Sequence, residues 1–113
     1  MTNDTTQNMS ASGSARCPVE ITVALIGGKW KPYVLFNLAG GSKRYSDLKR
    51  CIPNVSDRML SRALRELEGD ELVTREVVPQ APVKVVYSLS KDGALLVPVL
   101  NLMVEWTRNR LQN

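Results

Sequence analysis

Two stretches between residues 17 and 41 are rich in apolar side chains and are each followed by a pair of glycines. A short helix is predicted over residues 18–26, with Pro18 at a position that favours the start of a helix. A second, mostly buried helix is predicted over 31–39. The glycine pairs at 27–28 and 40–41 follow these stretches and end them, because paired glycines favour turns. The folded part of the chain is therefore predicted to begin with two short helices.

A serine followed by an aspartate occurs at 46–47 and again at 56–57. In each pair, the serine oxygen can cap the free amides of a helix start, and the aspartate favours the positive end of the helix dipole. Pro53 lies between the pairs and cannot continue a helix. The pattern predicts helix, tight turn and helix, with the helices over 47–51 and 57–68.

Apolar and basic residues lie on opposite faces of the second of these helices. Three leucines repeat at steps of four and three residues, and three arginines repeat at the same steps two residues earlier. At about 100° per residue, this offset places the arginines nearly opposite the leucines. The apolar face is Leu60, Leu64 and Leu67, and the basic face is Arg58, Arg62 and Arg65. We expect the helix to lie on the core and to offer three guanidinium groups on its other side.

The pattern then changes from helical to extended. Residues 72–78 and 85–90 are rich in β-branched and aromatic side chains, which predicts a hairpin with a proline-containing connection. Ser90 is predicted to cap a last helix over 91–111, and Pro98 is expected to bend it. Apolar residues cover more than one face of this helix, so we expect it to need a partner surface outside its own domain.

This order of elements predicts an α+β fold, mainly α. It is a winged helix-turn-helix with a two-stranded β wing and a C-terminal dimerisation helix, in which the second helix of the motif enters the DNA major groove. The domain is expected to span 17–113. Residues 1–16 are small, polar and aperiodic, which predicts a flexible N-terminal tail.

Composition excludes several classes of protein. The 113 residues contain no histidine and two cysteines, so the sequence has no Ser-His or Cys-His pair and too few ligands for a structural zinc site. We therefore expect that the protein is not an enzyme and that it binds no metal and no cofactor. A thiol enzyme is the least supported of the alternative functions. No stretch approaches the roughly 18 apolar residues that span a membrane. The sequence therefore favours a cytoplasmic, nucleoid-associated protein.

The positive charge is concentrated in one segment. The formal net charge is +4, yet residues 29–65 alone carry nine basic against two acidic side chains. Such a block favours a surface for phosphates, because each Lys or Arg laid along a nucleic acid releases condensed counterions. The alternative is a set of solvated helix faces.

We expect the basic segment to bind double-stranded DNA. The predicted recognition face is Ser56, Asp57, Arg58, Ser61, Arg62 and Arg65. The predicted phosphate contacts are Lys43, Arg44, Lys49, Arg50 and the wing residue Lys84, with Lys29 and Lys31 as further candidates. Individually, each of these is equally consistent with plain surface.

The last helix is expected to form a twofold interface. The predicted interface residues are Leu96, Val99, Leu100, Met103 and Trp106; a purely internal core is the alternative. Twofold symmetry places two recognition helices about one DNA turn apart, on a palindromic operator. Trp30, Tyr33 and Tyr87 are assigned to the core or to the dimer contact.

Cys17 lies at the predicted start of the first helix. The amides of that helix start, its dipole and the adjacent Arg16 favour a thiolate, whereas Glu20 opposes one. The sequence is equally consistent with Cys17 as an inert residue at the helix cap. Cys51 ends the first helix of the motif, and we expect it to be a semi-buried apolar filler.

Several groups of residues share a recognisable order. They are CPVE at 17–20, LIGGKWK at 25–31, YSDL at 45–48, RMLS at 58–61, LRELE at 64–68, VYSL at 86–89, VPVL at 97–100, and Trp106. In these groups the chain resembles the HxlR family of bacterial-type transcriptional regulators. The resemblance implies a homodimeric, sequence-specific DNA-binding regulator related to the MarR group.

The resemblance also bears on the cysteines and on two departures. In some members a cysteine at the position of Cys17 senses oxidants or electrophiles such as quinones. A disulfide from Cys17 to Cys51 of a second chain, if Cys51 is exposed, would lock one DNA-binding geometry. Ile21 replaces the arginine that members commonly carry there, and Glu71 occupies the usual glycine position, where a left-handed backbone costs about 1 kcal/mol or more.

A second class of function remains open at this point. A winged-helix module that binds protein or RNA would use the same basic face only weakly. For such a module we expect no preference for any nucleic-acid sequence and a smooth loss of all binding as the salt concentration rises.

Overall fold

A computed structural model describes residues 16–112, which form six helices and three strands. In chain order these are α1 (Pro18–Ile26), α2 (Lys31–Leu38), β1 (Lys43–Arg44), α3 (Tyr45–Cys51), α4 (Asp57–Gly69), β2 (Val73–Val78), β3 (Lys84–Leu89), α5 (Lys91–Ala94) and α6 (Val97–Leu111). The predicted α+β winged helix-turn-helix is confirmed. Of the flexible tail predicted over 1–16, residues 1–15 lie outside the described part of the chain.

One core joins α2, α3, α4 and the sheet. The three leucines of the predicted apolar face of α4 are each at most 1% exposed, and Ala63 completes that face. From α2 come Val34, Leu35 and Leu38; from the strands and their flanks come Leu72, Val73 and Tyr87. The four buried side chains of α4 therefore fix which of its faces points to solvent.

The sheet has one more strand than the sequence predicted. Its order is β1-β3-β2 and both pairings are antiparallel. Lys43 lies opposite Tyr87 and Arg44 opposite Val86, so β1 extends the predicted two-stranded wing. A two-residue strand has too little periodicity to be recognised in sequence. It ties the helix-turn-helix to the wing.

The helix-turn-helix differs from its prediction at one end. Helix α3 begins at Tyr45, so Ser46 lies inside the helix and the predicted cap at Ser46 is wrong. The cap at Ser56 is confirmed, since its Oγ accepts a hydrogen bond from the Met59 amide at 3.1 Å. Asn54 adopts a left-handed backbone with φ of 63° in the turn, a conformation that asparagine tolerates.

The single C-terminal helix predicted over 91–111 is two helices. Ser90 caps α5 as predicted, with its Oγ 2.9 Å from the Gly93 amide. Pro98 lies in the first turn of α6, where it removes no internal hydrogen bond, so the predicted bend is wrong. A Cβ on Gly93 would lie 2.1 Å from the Leu72 carbonyl oxygen, which makes glycine necessary where α5 crosses the start of β2.

Helix α4 ends in a Schellman motif at an unusual residue. The Glu71 amide donates to the Glu68 carbonyl oxygen at 3.0 Å, and the Leu72 amide donates to that of Leu67 at 2.9 Å. Glu71 has a φ of 61°, so the left-handed conformation expected at the glycine position of the family is present without glycine. Leu67 and Leu72 are both buried, which holds the motif closed.

Replacing Glu71 with glycine is expected to raise the free energy of unfolding by about 1 kcal/mol, because glycine adopts a left-handed backbone without a steric penalty. The urea midpoint should rise with an unchanged m-value. The control Glu105→Gly, inside α6, should lower stability by about 1 kcal/mol, because that helical site requires no positive φ. A lower midpoint for Glu71→Gly would contradict the strain argument.

Candidate nucleic-acid interface

Helix α4 presents its arginines opposite the core. Arg58, Arg62 and Arg65 are all exposed, as the offset from the leucines predicted. Within residues 16–112, the side chains of Arg58 and Arg65 make no hydrogen bond or ion pair, which leaves both guanidinium groups open to a ligand. A rigid helix with a row of guanidinium groups suits a phosphate-lined groove.

Arg62 is held in place by a carboxylate. Its Nε lies 3.3 Å from Oε2 of Glu66, one turn later in α4. Oε1 of Glu66 lies 3.9 Å from Nζ of Lys31, which also donates to the Ala24 carbonyl oxygen at 3.1 Å. The Lys31 side chain is only 14% exposed, so this contact anchors the pair to α1 and α2. The ammonium of Lys31 therefore has two partners in its own chain, and its phosphate contact stays a prediction.

Tyr45 joins the two helices of the motif. Its hydroxyl donates to Oδ1 of Asp57 at 2.8 Å and lies 3.4 Å from the Ser61 hydroxyl oxygen. Nζ of Lys49 lies 3.4 Å from the same Oδ1. The side chains of Asp57 and Ser61, predicted to face DNA, thus have partners inside the chain. With Ser56 as the helix cap, these residues position α4.

These contacts change the acidity of both partners. Burial raises the pKa of Tyr45, with a further rise from Asp57 against a lowering hydrogen bond from Ser61. The hydrogen bond from Tyr45, followed by the positive charge of Lys49, lowers the pKa of Asp57. Tyr45 therefore stays neutral and Asp57 stays charged near neutral pH, so the contact persists across that range.

The lowered pKa of Asp57 predicts an acid-dependent contribution to stability. The contribution is fully present above the ordinary carboxyl pKa of about 3.9 and is lost as pH falls through the lower folded value. We expect Asp57→Asn to be less stable than the wild type at pH 7, with a smaller difference at pH 3.

Urea midpoints of both proteins at the two pH values measure this difference. Tyr45→Phe serves as the control, because without the phenol the effect of Asp57→Asn at pH 7 should shrink. An equal Asp57→Asn effect at pH 7 and pH 3 would contradict the assignment.

The other predicted phosphate contacts differ in the partners that they have within the chain. Arg50 forms an ion pair with Asp47, and Lys49 pairs with Asp57, although both remain partly exposed. Lys43 and Arg44 lie in β1, and Lys84 begins β3 at the wing. The structure thus places these basic residues on α3, on β1 and in the wing. Lys29 lies over the Trp30 ring, 4.9 Å from its centroid.

Both cysteines are exposed free thiols. Cys17 occupies the N-cap of α1 but makes no side-chain cap hydrogen bond, and Arg16 pairs with Glu20 at 3.7 Å. Cys51 ends α3, and its exposure contradicts the predicted semi-buried filler. Both thiols are therefore accessible to a reagent.

Helix α6 has an inner and an outer apolar face. Leu100 lies in the core and Leu96 packs against it, so these two predicted interface residues already have partners in their own chain. Val99, Leu102, Met103 and Trp106 form an exposed stripe at helical spacing, between 41% and 64% exposed. We call these four residues the outer stripe. Val19 and Val23 of α1 are exposed as well.

The assignment of Trp30, Tyr33 and Tyr87 is resolved in part. Tyr87 is in the core and Trp30 packs against it. Tyr33 is exposed, and its ring centroid lies 5.9 Å from that of Trp30.

Residues 25–113 match the model of the HxlR-like helix-turn-helix family. The chain belongs to this family. An HTH-type transcriptional regulator of Methanothermobacter thermautotrophicus is 47% identical over 90 residues, which cover 80% of this chain and 69% of the relative. The protein is a transcriptional regulator of the helix-turn-helix type, and the expectation that it is not an enzyme is confirmed by the family and this relative.

Solved structures agree with this family membership. The redox regulator HypR in its oxidised form is 45% identical, with a TM-score of 0.78 over 82% of this chain and 96% of HypR. Diamide-treated YodB from Bacillus subtilis is 37% identical, with a TM-score of 0.71 over 83% of this chain and 94% of YodB. Both solved structures share the fold of this chain, in which α4 follows α3 and precedes the wing.

The part of the chain that the structure describes contains neither a candidate metal site nor a candidate membrane-spanning helix. Within residues 16–112, no cluster of three or more Cys, Asp or Glu side chains is arranged to hold a metal ion. No helix of this range is long and apolar enough to span a bilayer.

Sequence reasoning missed Tyr45 and Glu66. Each acts on a residue that it did single out, Asp57 and Arg62 respectively. The spacing of Arg62 and Glu66, four residues apart on one helix, was a usable signal. The contacts of Lys31 with Glu66 and of the Tyr45 hydroxyl with Asp57 join different elements, so no local sequence pattern indicates them.

Proposed function

We propose that this HxlR-family regulator is a homodimer that binds a palindromic operator, with α4 of each protomer in the major groove. The observation that carries the proposal is the geometry of α4. Four buried side chains fix its inner face, and three exposed arginines lie opposite. Such an arrangement costs little ordering entropy on binding, because the helix is already in place.

The surroundings of α4 support DNA as the partner. Lys43 and Arg44 lie in β1 and Lys84 begins β3 of the wing, the element of a winged helix that meets the backbone of a bound duplex. Lys49 and Arg50 keep exposed ammonium and guanidinium groups beside their acidic partners. We assign these five residues to phosphates, and Ser56, Asp57 and Ser61 to positioning α4. A regulator of this kind acts in the cytoplasm, at the nucleoid.

The outer stripe supports a second copy of the chain as the partner of α6. Isolated apolar residues on a surface are ordinary, but four at helical spacing on one helix form a contiguous patch. A twofold axis beside α6 brings each stripe against its copy. The dimer then presents two recognition helices about 34 Å apart.

We further propose that Cys17 senses oxidants or electrophiles. Its thiol is exposed at the start of α1, and HypR and YodB, which share the fold, are a redox regulator and a diamide-treated regulator. The proposed switch is a disulfide between Cys17 and Cys51 of the partner. Two thiols lose two protons and two electrons to the oxidant, and diamide becomes the hydrazine. The crosslink fixes the distance between the two recognition helices.

Selection of bound duplexes from random DNA tests both parts. We expect the reduced wild type to select a palindrome. Diamide should produce a dimer band on non-reducing electrophoresis and change the affinity for that palindrome, and Cys17→Ser should remove both effects. Selection of no sequence, with only salt-sensitive binding, would favour a general nucleic-acid or protein-binding module instead. No dimer band and no change in affinity would end the thiol proposal alone.

A further inference from the structure

The three arginines of α4 are not equivalent. Arg58 and Arg65 have free side chains within residues 16–112, whereas Arg62 donates Nε to Glu66. This bond uses one donor of the guanidinium and leaves the two terminal amino groups, Nη1 and Nη2, available. These are the two donors that an arginine uses to bind O6 and N7 of guanine side by side.

Glu66 is itself fixed from a second side. Lys31 approaches its other carboxylate oxygen, and the same ammonium donates to the carbonyl of Ala24 in the last turn of α1. A half-exposed glutamate on a helix ordinarily samples several rotamers. Here contacts from α2 and from within α4 select one, and Glu66 passes that restriction to Arg62.

We propose that Glu66 is a positioning residue that orients Arg62 to read a guanine in each operator half-site, whereas Arg58 and Arg65 bind phosphates. The inference rests on the proposed function, because it assigns roles within the same DNA-binding face. Holding one rotamer removes part of the ordering entropy that a free arginine loses on binding. It also fixes the plane of the fork, on which recognition of two acceptors depends.

The effect of removing Glu66 on DNA binding separates a positioning role from a purely electrostatic one. Glu66 is a negative charge on a face that meets DNA. If charge were its only role, its removal would tighten binding to every sequence. Positioning predicts instead tighter binding to unrelated DNA together with poorer discrimination at the guanine.

The experiment uses the full chain and the palindrome selected by the wild type. Affinities are measured for that palindrome, for versions with each candidate guanine replaced, and for an unrelated duplex. We expect the wild type to prefer one guanine by about 5- to 100-fold, which is the range for a good two-acceptor contact. Arg62→Ala should abolish this preference.

Glu66→Ala should reduce the same preference by about 3- to 10-fold, and Glu66→Gln by less, because the amide oxygen can still accept from Nε. The matched control is Glu68→Gln, since Glu68 lies on the same helix and its side chain has no partner within residues 16–112. Glu68→Gln should tighten binding to unrelated DNA to the same degree as Glu66→Gln does, because both remove one negative charge. It should leave the guanine preference intact. Urea midpoints confirm that each variant is folded.

Two further variants complete the test. In Arg62→Ala, adding Glu66→Ala should change the guanine preference no further. Arg65→Ala should weaken binding to all sequences alike and lower the salt slope by about 0.9 per protomer. Full guanine preference in Glu66→Ala, or an unchanged preference in Arg62→Ala, would overturn the inference while the proposed function stands. Selection of no sequence by the wild type would overturn both.

Discussion

Replacing Arg58, Arg62 and Arg65 together with alanine is expected to lower affinity for the operator by more than about 1000-fold at moderate salt. In our assignment, these side chains bind four phosphates and two guanines in each dimer. The salt slope should fall by about 3.6, because each bound phosphate contributes about 0.9. The fold should remain, since all three side chains are exposed and alanine favours helix.

The matched control replaces the same three arginines with lysine. Lysine keeps the charge but lacks the planar fork, so binding to unrelated DNA and its salt slope should be retained. Preference for the operator should fall by about 5- to 100-fold for each guanine that is no longer read. Titrations by fluorescence anisotropy at several salt concentrations measure both quantities. An operator affinity that is unchanged in the alanine variant would reject α4 as the recognition helix.

Replacing Met103 with glutamate is the second change with a large expected effect. Met103 lies within the outer stripe and is 52% exposed, so the change leaves the core intact. In the proposed dimer, two glutamates would face each other in a desolvated interface, where unpaired charges are costly. We expect a monomer in sedimentation equilibrium. Operator affinity should fall by about 100- to 10,000-fold, because the two half-sites are no longer bound as one linked unit.

The control is Asn101→Glu, which adds the same charge to α6 away from the outer stripe. It should leave both the dimer and the operator affinity close to those of the wild type. The urea midpoint of Asn101→Glu should stay close to that of the wild type, because Asn101 is exposed. Met103→Glu should still unfold cooperatively, at a lower midpoint, because the dimer no longer stabilises the folded chain. A stable dimer of Met103→Glu would contradict the outer stripe as the twofold interface and leave the arginine assignments untouched.

The elements that the sequence predicted best are those that a local rule controls. The face of α4 follows from the steps between Leu60, Leu64 and Leu67, because helical geometry alone converts spacing into direction. The caps at Ser56 and Ser90 follow from the side chain of one residue and the amide three positions later. The hairpin follows from two stretches rich in β-branched and aromatic side chains around a proline-containing connection.

The elements that were predicted wrongly depend on partners elsewhere. Ser46 looked like Ser56 in sequence, but strand β1 carries the chain directly into α3 at Tyr45 and leaves no cap position for it. Pro98 was predicted to lie inside one long helix. The structure breaks that helix at Leu95 and Leu96, between α5 and α6, so Pro98 lies in the first turn of α6. Leu100 looked like Met103, and only packing against the core separates the inner face of α6 from the outer stripe.

By itself, the sequence determined the winged helix-turn-helix, its basic second helix and the two thiols, because each follows from spacing or from residue type. Only the tertiary structure decided which side chains gain a partner from another element, as Lys31 does from Glu66 and Lys49 from Asp57. Lys31 and Glu66 are thirty-five positions apart, and Tyr45 and Asp57 twelve. Ion pairs and hydrogen bonds act over a few ångströms, so distant residues acquire partners only when the core has set the distances between helices.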